Sequence, residues 1–431
     1  MSSSPANSDW GRSSGEQSSV PGRRCLCRRC GRRSDRSAAI ERAALIACRR
    51  EKSLDPNALT CDYPPMSHNT RQRRLAALRA CDQILSGIRP PTMRDRLADM
   101  DAGGDLDDQP DFYGDGPVNT LEERVADLLG TEAAVFFPTG TMAQQVALRY
   151  GAERTGHPTV ALHPIGHLEV DERHAYAHLS GLRSTWPTTA PRNPTAEEIT
   201  ALAEPVSTVV IELPLRDAGF VLPGWDELVA VSAAARAIGA RVHFDGARIW
   251  ESTPHLAHTL SEIADLAHST YVSFYKTIGG ISGAALAGTT ELASYARIWR
   301  HRYGGEVFQQ WPAALTALAG LARELPRIPE YVRHARTVAA ALTALPGARV
   351  YPEPPHTHRF RLWLPHPAQA LNDAALALAE QEKVWFVAGW QETAVPGMAM
   401  TEITVATPAL EWTTEDITEI GERFLSHALD S

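Results

Sequence analysis

Residues 242–250 read VHFDGARIW, and residues 271–288 read YVSFYKTIGGISGAALAG. Each segment opens with a short apolar run typical of a buried strand, and one ionisable side chain, Asp245 or Lys276, follows where that run ends. A buried carboxylate is costly unless it is paired, so Asp245 either caps the next helix or meets a cation. Lys276 precedes a glycine-rich turn with room for a bulky planar adduct, although a strand-end lysine can also extend into solvent.

A third segment, PTGTMAQQVAL at residues 138–148, follows the apolar run AAVFF. Small residues at the start of a helix leave backbone N–H groups free at the positive end of the helix dipole. Gly140 and Thr141 therefore form a candidate phosphate-binding site, although a Gly-Thr helix start is also common without any ligand. The segment lacks the GxxxxGK[ST] pattern of a nucleotide-binding loop.

These three features together predict pyridoxal 5'-phosphate as the cofactor. That cofactor needs an amine for its Schiff base, a carboxylate that keeps its pyridine nitrogen protonated, and donors for its phosphate. The sequence offers Lys276, Asp245 and the helix start at Gly140, with the lysine about 30 residues after the aspartate.

The pattern along the chain predicts an α/β fold. Amphipathic helices alternate with short apolar runs from about residue 120, which indicates a mostly parallel sheet covered on both faces. Strands are predicted at residues 133–137, 159–162, 208–213, 241–244, 271–274 and 284–287, and helices at 120–129, with Thr120 and Glu123 as a capping box, and at 225–238. A smaller α+β domain is predicted from a helix at 331–345, strands near 359–364, 384–388 and 403–406, and a closing helix from about residue 415.

From about residue 111 to 318 the chain resembles the threonine aldolases of the aromatic amino acid β-eliminating lyase superfamily. The resemblance is carried by DFYGDGPVNTLEERVADLLG, FFPTGTMAQQVAL, HLEVDE, HFDGARIWES and SFYKTIGG. It implies a fold type I (PLP-dependent transferase-like) architecture, with a large domain built on a mostly parallel seven-stranded sheet flanked by helices, and a small C-terminal α+β domain.

The resemblance also implies roles for individual residues. Lys276 becomes the Schiff-base lysine, Asp245 the partner of the pyridine nitrogen, and Arg248 a contact for the cofactor phenol oxygen or the substrate carboxylate. The implied phosphate contacts are Gly140 and Thr141. The implied catalytic residues are Lys276, His167, which stacks on the cofactor ring, and Glu172, the acidic residue near the substrate.

The histidines around this segment leave another interpretation open. His163 and His167 are four residues apart, as are His174 and His178, and acidic residues lie among them, so a metal site is conceivable. No HExxH or similar ligand pattern is present, and we predict no metal.

The sequence departs from the family pattern at positions that concern the substrate. The stretch ILSGIRPPTM at 84–93 replaces a Ser-Asp-Thr-Val-Thr run, and Phe308 stands where the family places an arginine that reaches a neighbouring subunit. The stretch MTEITVATPALEW at 400–412 holds no arginine where a carboxylate-binding arginine is expected. Arg216, in the unusual loop 211–223, is one possible substitute cation.

The leading hypothesis is a lyase that cleaves the Cα–Cβ bond of a β-hydroxy-α-amino acid, giving glycine or another amino acid and an aldehyde. A base, which is His167, Glu172 or a held water, takes the β-hydroxyl proton. The alternatives are a β-eliminating lyase or another pyridoxal-phosphate enzyme acting on amino acids, a non-catalytic relative that retains the fold, and a metal-dependent hydrolase built on the histidines.

Charge divides the 431-residue chain into unlike parts. Residues 1–65 hold 12 Lys+Arg against 7 Asp+Glu and five of the six cysteines, which predicts a disordered basic extension. For residues 1–65 the open interpretations are a CxCxxC zinc site, a transit peptide, a nucleic-acid arm, or an extension that lies upstream of a biological start at Met66. The rest carries a net charge of −14 and one cysteine, which predicts a cytoplasmic protein that binds neither nucleic acid nor membrane. Predicted boundaries are a joining segment at 66–110, a large domain at 111–325 and a small domain at 326–431; the family resemblance implies a homodimer or homotetramer.

Overall fold

The computed structural model describes residues 68–429, which fall within one compact unit. The predictions about residues 1–65, including the zinc alternative, and about a start at Met66 lie outside the described residues. Within 68–429 no helix is long and apolar enough to cross a membrane.

Helices and strands alternate along most of the described chain. The helices are α1 (His68–Ala80), α2 (Met93–Gly103), α3 (Pro117–Leu129), α4 (Gly140–Thr155), α5 (His167–Val170), α6 (Ala175–Ser180), α7 (Ala196–Thr200), α8 (Trp225–Ala237), α9 (Thr253–Leu256), α10 (Leu260–Asp265), α11 (Thr290–Arg302), α12 (Trp311–Glu324), α13 (Ile328–Thr343), α14 (Ala368–Glu382) and α15 (Thr414–Leu429). The strands are β1 (Gln83–Ile84), β2 (Ala133–Phe137), β3 (Thr159–Ala161), β4 (Arg183–Thr185), β5 (Thr208–Glu212), β6 (Arg241–Gly246), β7 (Ser269–Ser273), β8 (Ala284–Gly288), β9 (Arg349–Tyr351), β10 (Arg359–Leu364), β11 (Val384–Trp385), β12 (Gln391–Glu392) and β13 (Ala399–Thr404).

The main sheet has seven strands in the order β2-β8-β7-β6-β5-β3-β4. Strand β8 pairs antiparallel with both of its neighbours, and the remaining pairs are parallel. Successive side chains enter different cores: Ala134 and Phe136 join one buried cluster, whereas Val135 and Phe137 join another on the opposite face. The predicted mostly parallel seven-stranded sheet with helices on both faces is confirmed.

One predicted helix boundary is wrong. Helix α3 starts at Pro117, with Gly116 at the N-cap, so Thr120 lies inside the helix and forms no capping box with Glu123. Proline at the first helical position presets the required φ and loses no hydrogen bond, because that N–H has no helical partner in any case. The Thr120 hydroxyl donates instead to Gly116 O at 3.3 Å.

The C-terminal part contains a four-stranded antiparallel sheet in the order β12-β13-β10-β9. The strand predicted at 384–388 is shorter, since only Val384–Trp385 are paired, in parallel with β1. Phe386 and Val387 are still buried, so their hydrophobicity reflects a core position outside any ladder. The strand predicted at 403–406 is displaced to Ala399–Thr404. The domain boundary near residue 325 stays a prediction.

The segment at 68–110 packs against two helices, α14 of the C-terminal part and α12 of the preceding part. Helix α1 lies on α14, where Arg73 Nε is 2.7 Å from Glu380 Oε1. Helix α2 lies against α12 so closely that a Cβ at Gly103 would overlap the carbonyl oxygen of Leu315. Glycine at position 103 therefore permits the contact between these two helices.

Candidate active site

The predicted site residues meet at one edge of the main sheet. In a parallel sheet the carboxyl ends of the strands face the same edge, where ligands usually bind. Asp245 is the next-to-last residue of β6, Lys276 lies three residues after β7, and Gly140 lies at the start of the helix that follows β2. Lys276 lines a cavity of about 170 Å³ at this edge, together with Ile165, His167, Asp171, Glu212, Arg216, Asp217, Ala247, Arg248 and Tyr275.

Asp245 is almost completely buried, with 1% of its surface exposed. Its Oδ1 accepts the Ala247 N–H at 3.2 Å, and its Oδ2 lies 3.1 Å from His167 Nδ1. Burial by itself raises the pKa of this carboxyl, but the charge and hydrogen bond of His167 outweigh burial and hold the pKa at about 2. Asp245 is therefore an anion at neutral pH, and His167 Nδ1 carries the shared proton.

Glu212, which the sequence analysis did not identify, holds the loop that carries His167. It closes β5 and is the register partner of Asp245 on β6. Its Oε2 accepts the backbone N–H of His167 at 2.8 Å, and its Oε1 accepts that of Arg216 at 3.1 Å. Burial, followed by the nearby charge of Asp245, raises the pKa of Glu212 to about 7. An acidic residue after an apolar run was the available signal, the same one that identified Asp245.

Lys276 faces the cavity from the loop after β7. Burial, followed by the positive charge of Arg248, lowers its pKa to about 8, while Asp245, Glu212 and Asp171 oppose that shift. An amine with this pKa is partly neutral near physiological pH, and only the neutral form is a nucleophile.

The start of α4 supplies the predicted phosphate contacts. Thr139 caps the helix by accepting the Met142 N–H at 3.3 Å, which leaves Gly140 and Thr141 in its first turn. The hydroxyl of Tyr271 lies so near Gly140 that a Cβ there would overlap it. That hydroxyl is buried and has no hydrogen-bond partner among the described residues. A buried donor without a partner beside a helix N-terminus fits a bound phosphate.

Glu172 lies beside this helix start and is not among the residues that line the cavity. Its Oε2 accepts from Gln145 Nε2 at 3.2 Å, and Thr141 contributes a further side-chain hydrogen bond. Burial raises the pKa of this carboxyl to about 7, so it is partly protonated at neutral pH. The structure thus places Glu172 next to Thr141, one of the candidate phosphate contacts, and outside the lining of the cavity that Lys276 faces.

Arg248 lines the cavity, with its guanidinium carbon 5.6 Å from the centre of the Phe220 ring. Burial, followed by the like charge of Arg359, lowers its pKa. Its Nε is buried and has no hydrogen-bond partner among the described residues. A cation in this state is suited to an anionic ligand that enters the cavity.

Arginines do lie near the stretch at 400–412, but they come from the neighbouring strand. Arg361 on β10 is the register partner of Glu402 on β13, and its Nη2 lies 3.3 Å from Glu402 Oε1. Arg216 binds the other oxygen of the same carboxylate at 3.2 Å. Asp217 lies 3.5 Å from both arginines, so two cations and two anions form a closed group at the cavity wall.

A second ionic group lies behind the lysine loop. Glu251 is fully buried, accepts the Thr277 hydroxyl, and has its Oε1 3.2 Å from Arg359 Nε. Burial by itself raises the pKa of Glu251, but His358 and Arg359 outweigh it and lower that pKa strongly. Glu251 and Arg359 were not predicted from the sequence. They connect Thr277, the residue after Lys276, to the C-terminal sheet.

The other predicted positions have local roles. His163 Nε2 contacts Ala190 O at 2.8 Å, and among the described residues no group of three or more His, Cys, Asp or Glu is arranged to hold a metal ion. Ser86, in the altered 84–93 stretch, accepts the backbone N–H of Thr404 at 3.1 Å. Phe308 is half-exposed and forms edge contacts with Phe112 and Tyr113.

Comparisons with known proteins identify relatives of this chain. Residues 89–362 match the model of a family described as Beta-eliminating lyase. The fold matches the crystal structure of a putative L-allo-threonine aldolase from Listeria monocytogenes EGD-E (TM-score 0.77, 32% identity, 83% of this chain and 99% of that one). A putative aromatic amino acid beta-eliminating lyase/threonine aldolase from Exiguobacterium sp. 255-15 matches equally well (TM-score 0.77, 34% identity, 82% and 99%). Aldolase vrtJ of Penicillium aethiopicum is 30% identical over 240 residues, which span 54% of this chain and 57% of that relative.

Proposed function

The chain belongs to the beta-eliminating lyase family and is a pyridoxal-phosphate-dependent lyase that resembles threonine aldolases, and from this premise we propose that it cleaves β-hydroxy-α-amino acids between Cα and Cβ. The products are glycine, or another amino acid, and an aldehyde. The observation that carries the proposal is that the amine of Lys276 and the pair formed by Asp245 and His167 meet at one cavity, beside a helix start with free donors.

The residues present fit the cofactor. Lys276 supplies the amine that attaches it, Asp245 an anion for the pyridine nitrogen, and Gly140, Thr141 and the unpartnered Tyr271 hydroxyl the phosphate contacts. Bound there, pyridoxal phosphate supplies an electron-accepting ring for the electron pair released from Cα.

The remaining side chains orient the substrate. We assign the α-carboxylate to Arg248, because its Nε is buried without a partner and it lines the cavity. Arg216 and Arg361 are less available to the substrate, since Glu402 and Asp217 already bind both of them. Glu212 holds the backbone of His167, which keeps the imidazole next to Asp245 and beside the reacting atoms.

A titration tests this function directly. Purified protein loaded with pyridoxal phosphate is mixed with a panel of β-hydroxy amino acids while the absorbance of the cofactor, glycine and aldehyde are followed. We expect equal amounts of glycine and aldehyde from at least one member. Release of pyruvate and ammonia would indicate β-elimination instead, and tight cofactor binding without any product would indicate a non-catalytic relative.

We also propose that the chain assembles as a homodimer or homotetramer. Phe112, Tyr113 and Phe308 form a cluster of ring contacts with centroids 5.0–5.3 Å apart, yet each is about half-exposed. Aromatic surface of this kind is enriched at protein interfaces. Light scattering of the wild type and of Phe308→Ser tests the assembly, and an unchanged molar mass in the variant would argue against this cluster as the interface. The scarcity of cysteine beyond residue 65 supports a cytoplasmic location.

A further inference from the structure

Asp171 is the acidic residue of the HLEVDE segment whose side chain lines the cavity. It follows directly after helix α5, is partly buried, and donates its backbone N–H to His167 O at 2.9 Å. Within residues 68–429 its carboxylate forms no side-chain hydrogen bond or ion pair. Burial lowers the pKa of Lys276, and the Asp171 carboxylate is one of three acidic groups that oppose the shift, so its charge acts on the amine.

The other two carboxylates on the cavity wall are already bound by the protein. Glu212 accepts two backbone N–H groups with its two oxygens. Asp217 lies 3.5 Å from Arg216 and 3.5 Å from Arg361. Asp171 is thus the cavity carboxylate that is available to accept a hydrogen bond from a ligand.

Two other candidates for a proton acceptor lie nearby. His167 has Nδ1 on Asp245, at 3.1 Å, which leaves Nε2 as its open ring nitrogen, and the Asp171→Asn comparison below separates this imidazole from the carboxylate. Glu172 is buried behind the cavity wall and accepts from Gln145. Glu172 and Asp171 are adjacent in the chain, but Glu172 lies next to the candidate phosphate contacts whereas Asp171 lines the cavity.

We propose that the Asp171 carboxylate binds the β-hydroxyl of the substrate and accepts its proton, an inference that rests on the proposed function. As the O–H bond breaks, its electron pair becomes the second C–O bond of the aldehyde. The electron pair of the broken Cα–Cβ bond stays with the amino acid fragment, which takes a proton from water and leaves as glycine. The proton on Asp171 returns to solvent.

The test compares ligands that differ only in that hydroxyl. Holoenzyme is titrated with threonine and with 2-aminobutyrate, in both configurations, and the Kd of each is measured from the cofactor absorbance. We expect Asp171→Asn to raise the Kd of the tighter threonine isomer at least fivefold and to change that of 2-aminobutyrate less than twofold. Cleavage, where the wild type shows it, should fall by about 10²–10⁴ in kcat/KM.

A matched control lies two residues before Asp171, on helix α5. Glu169 accepts from the Tyr176 hydroxyl at 2.5 Å and is not among the cavity-lining residues, so Glu169→Gln should leave both Kd values unchanged. An unchanged ratio of the two Kd values in Asp171→Asn would overturn the inference, and so would a parallel loss of both ligands. Failure of the wild type to cleave any β-hydroxy amino acid would instead refute the proposed function, because the binding ratio is taken from the first absorbance change, before cleavage, and does not depend on turnover.

Discussion

His167 Nδ1 lies 3.1 Å from Asp245 Oδ2, and the aspartate is 1% exposed. The two residues are 78 positions apart, one in a short helix after β3 and the other at the end of β6. Each shifts the other's pKa: burial alone disfavours both charges, but their attraction lowers the pKa of Asp245 and raises that of His167. The pair therefore favours the charged form of each partner relative to its ordinary pKa.

Replacing the aspartate should reverse the shift on the histidine. Burial is the largest influence on His167 and lowers its pKa; the charge and hydrogen bond of Asp245, with a smaller contribution from the charge of Glu172, overcome it. In Asp245→Asn we expect the pKa of His167 to fall below 6.5, as measured by NMR titration of the cofactor-free protein. His163, whose lowered pKa is caused mainly by burial, is an internal control that should not move. A His167 pKa still above its ordinary value would show that Asp245 is not its partner.

Lysine titration should control cofactor loading. Because burial lowers the pKa of Lys276 to about 8, its amine becomes neutral over a lower pH range than that of an ordinary lysine. The rate of visible absorbance gain on adding pyridoxal phosphate should rise about tenfold per pH unit below pH 8 and level off above it. Lys276→Ala should show no such band, whereas Arg216→Ala should retain it. A rate that still climbs above pH 9 would contradict the lowered pKa.

The sequence identified Asp245, Lys276 and Gly140 because each follows a complete apolar run. In a parallel sheet such positions meet at one edge whatever the order of the strands, so no knowledge of strand order was needed. The alternation also predicted six of the seven strands and their helical layers. The short strand β4 (Arg183–Thr185) was not predicted from it, and the count of seven came from the family resemblance.

Other residues of the site were not predicted, because their positions depend on which strands pair and in which register, and an apolar run specifies neither. Glu212 matters because β5 pairs with β6 in a register that puts it beside Asp245. Arg361 lies beside Glu402 because β10 and β13, about 40 residues apart, are antiparallel partners. Asp171 lines the cavity and its neighbour Glu172 does not, and the four-residue helix before them is too short for a hydrophobic period to show which residue faces inward.

Because Gly140 and Tyr271 lie so close, a substitution at Tyr271 should restore part of the stability that a substitution at Gly140 removes. A Cβ at position 140 would overlap the Tyr271 hydroxyl, so Gly140→Ala should destabilise the fold by about 1–3 kcal/mol and weaken cofactor binding. Tyr271→Phe removes the nearest overlapping atom and should restore part of the stability in the double variant, measured by denaturant unfolding. Tyr271→Phe alone is the control, and should be nearly neutral in the cofactor-free protein because that hydroxyl has no protein partner among the described residues. Additive losses in the double variant would rule out the overlap.

The pair formed by Arg361 and Glu402 should be strongly coupled. Their side chains are 15% and 26% exposed, and removing either one leaves the other three charges of the group unbalanced. A double-mutant cycle with Arg361→Met and Glu402→Gln should give a coupling free energy of unfolding of about 0.5–3 kcal/mol. The exposed pair Arg73 and Glu380 is the matched control and should show much weaker coupling. Equal coupling in the two pairs would mean that burial adds nothing to the first.

Glu212 should make the fold less stable as pH rises from about 4.5 to about 7. Burial, with the charge of Asp245 second, raises the pKa of its carboxyl from 4.5 to about 7 in the folded protein. Between those values the folded state holds a proton that the unfolded chain has released, so each increase in pH favours unfolding, by at most about 1.4 kcal/mol per unit. Glu212→Gln removes this titration. The quantity to measure is the free energy of unfolding of the wild type minus that of the variant. This difference should fall from about pH 4.5 to about pH 7 and stay level on either side. Glu262, whose pKa is lowered by the backbone N–H and hydroxyl of Thr259, provides a control of opposite sign, because its contribution is lost as the pH falls. A difference for Glu212→Gln that stays constant from pH 4.5 to 7 would show that this carboxyl is ionised throughout, and that the backbone N–H groups of His167 and Arg216 outweigh burial.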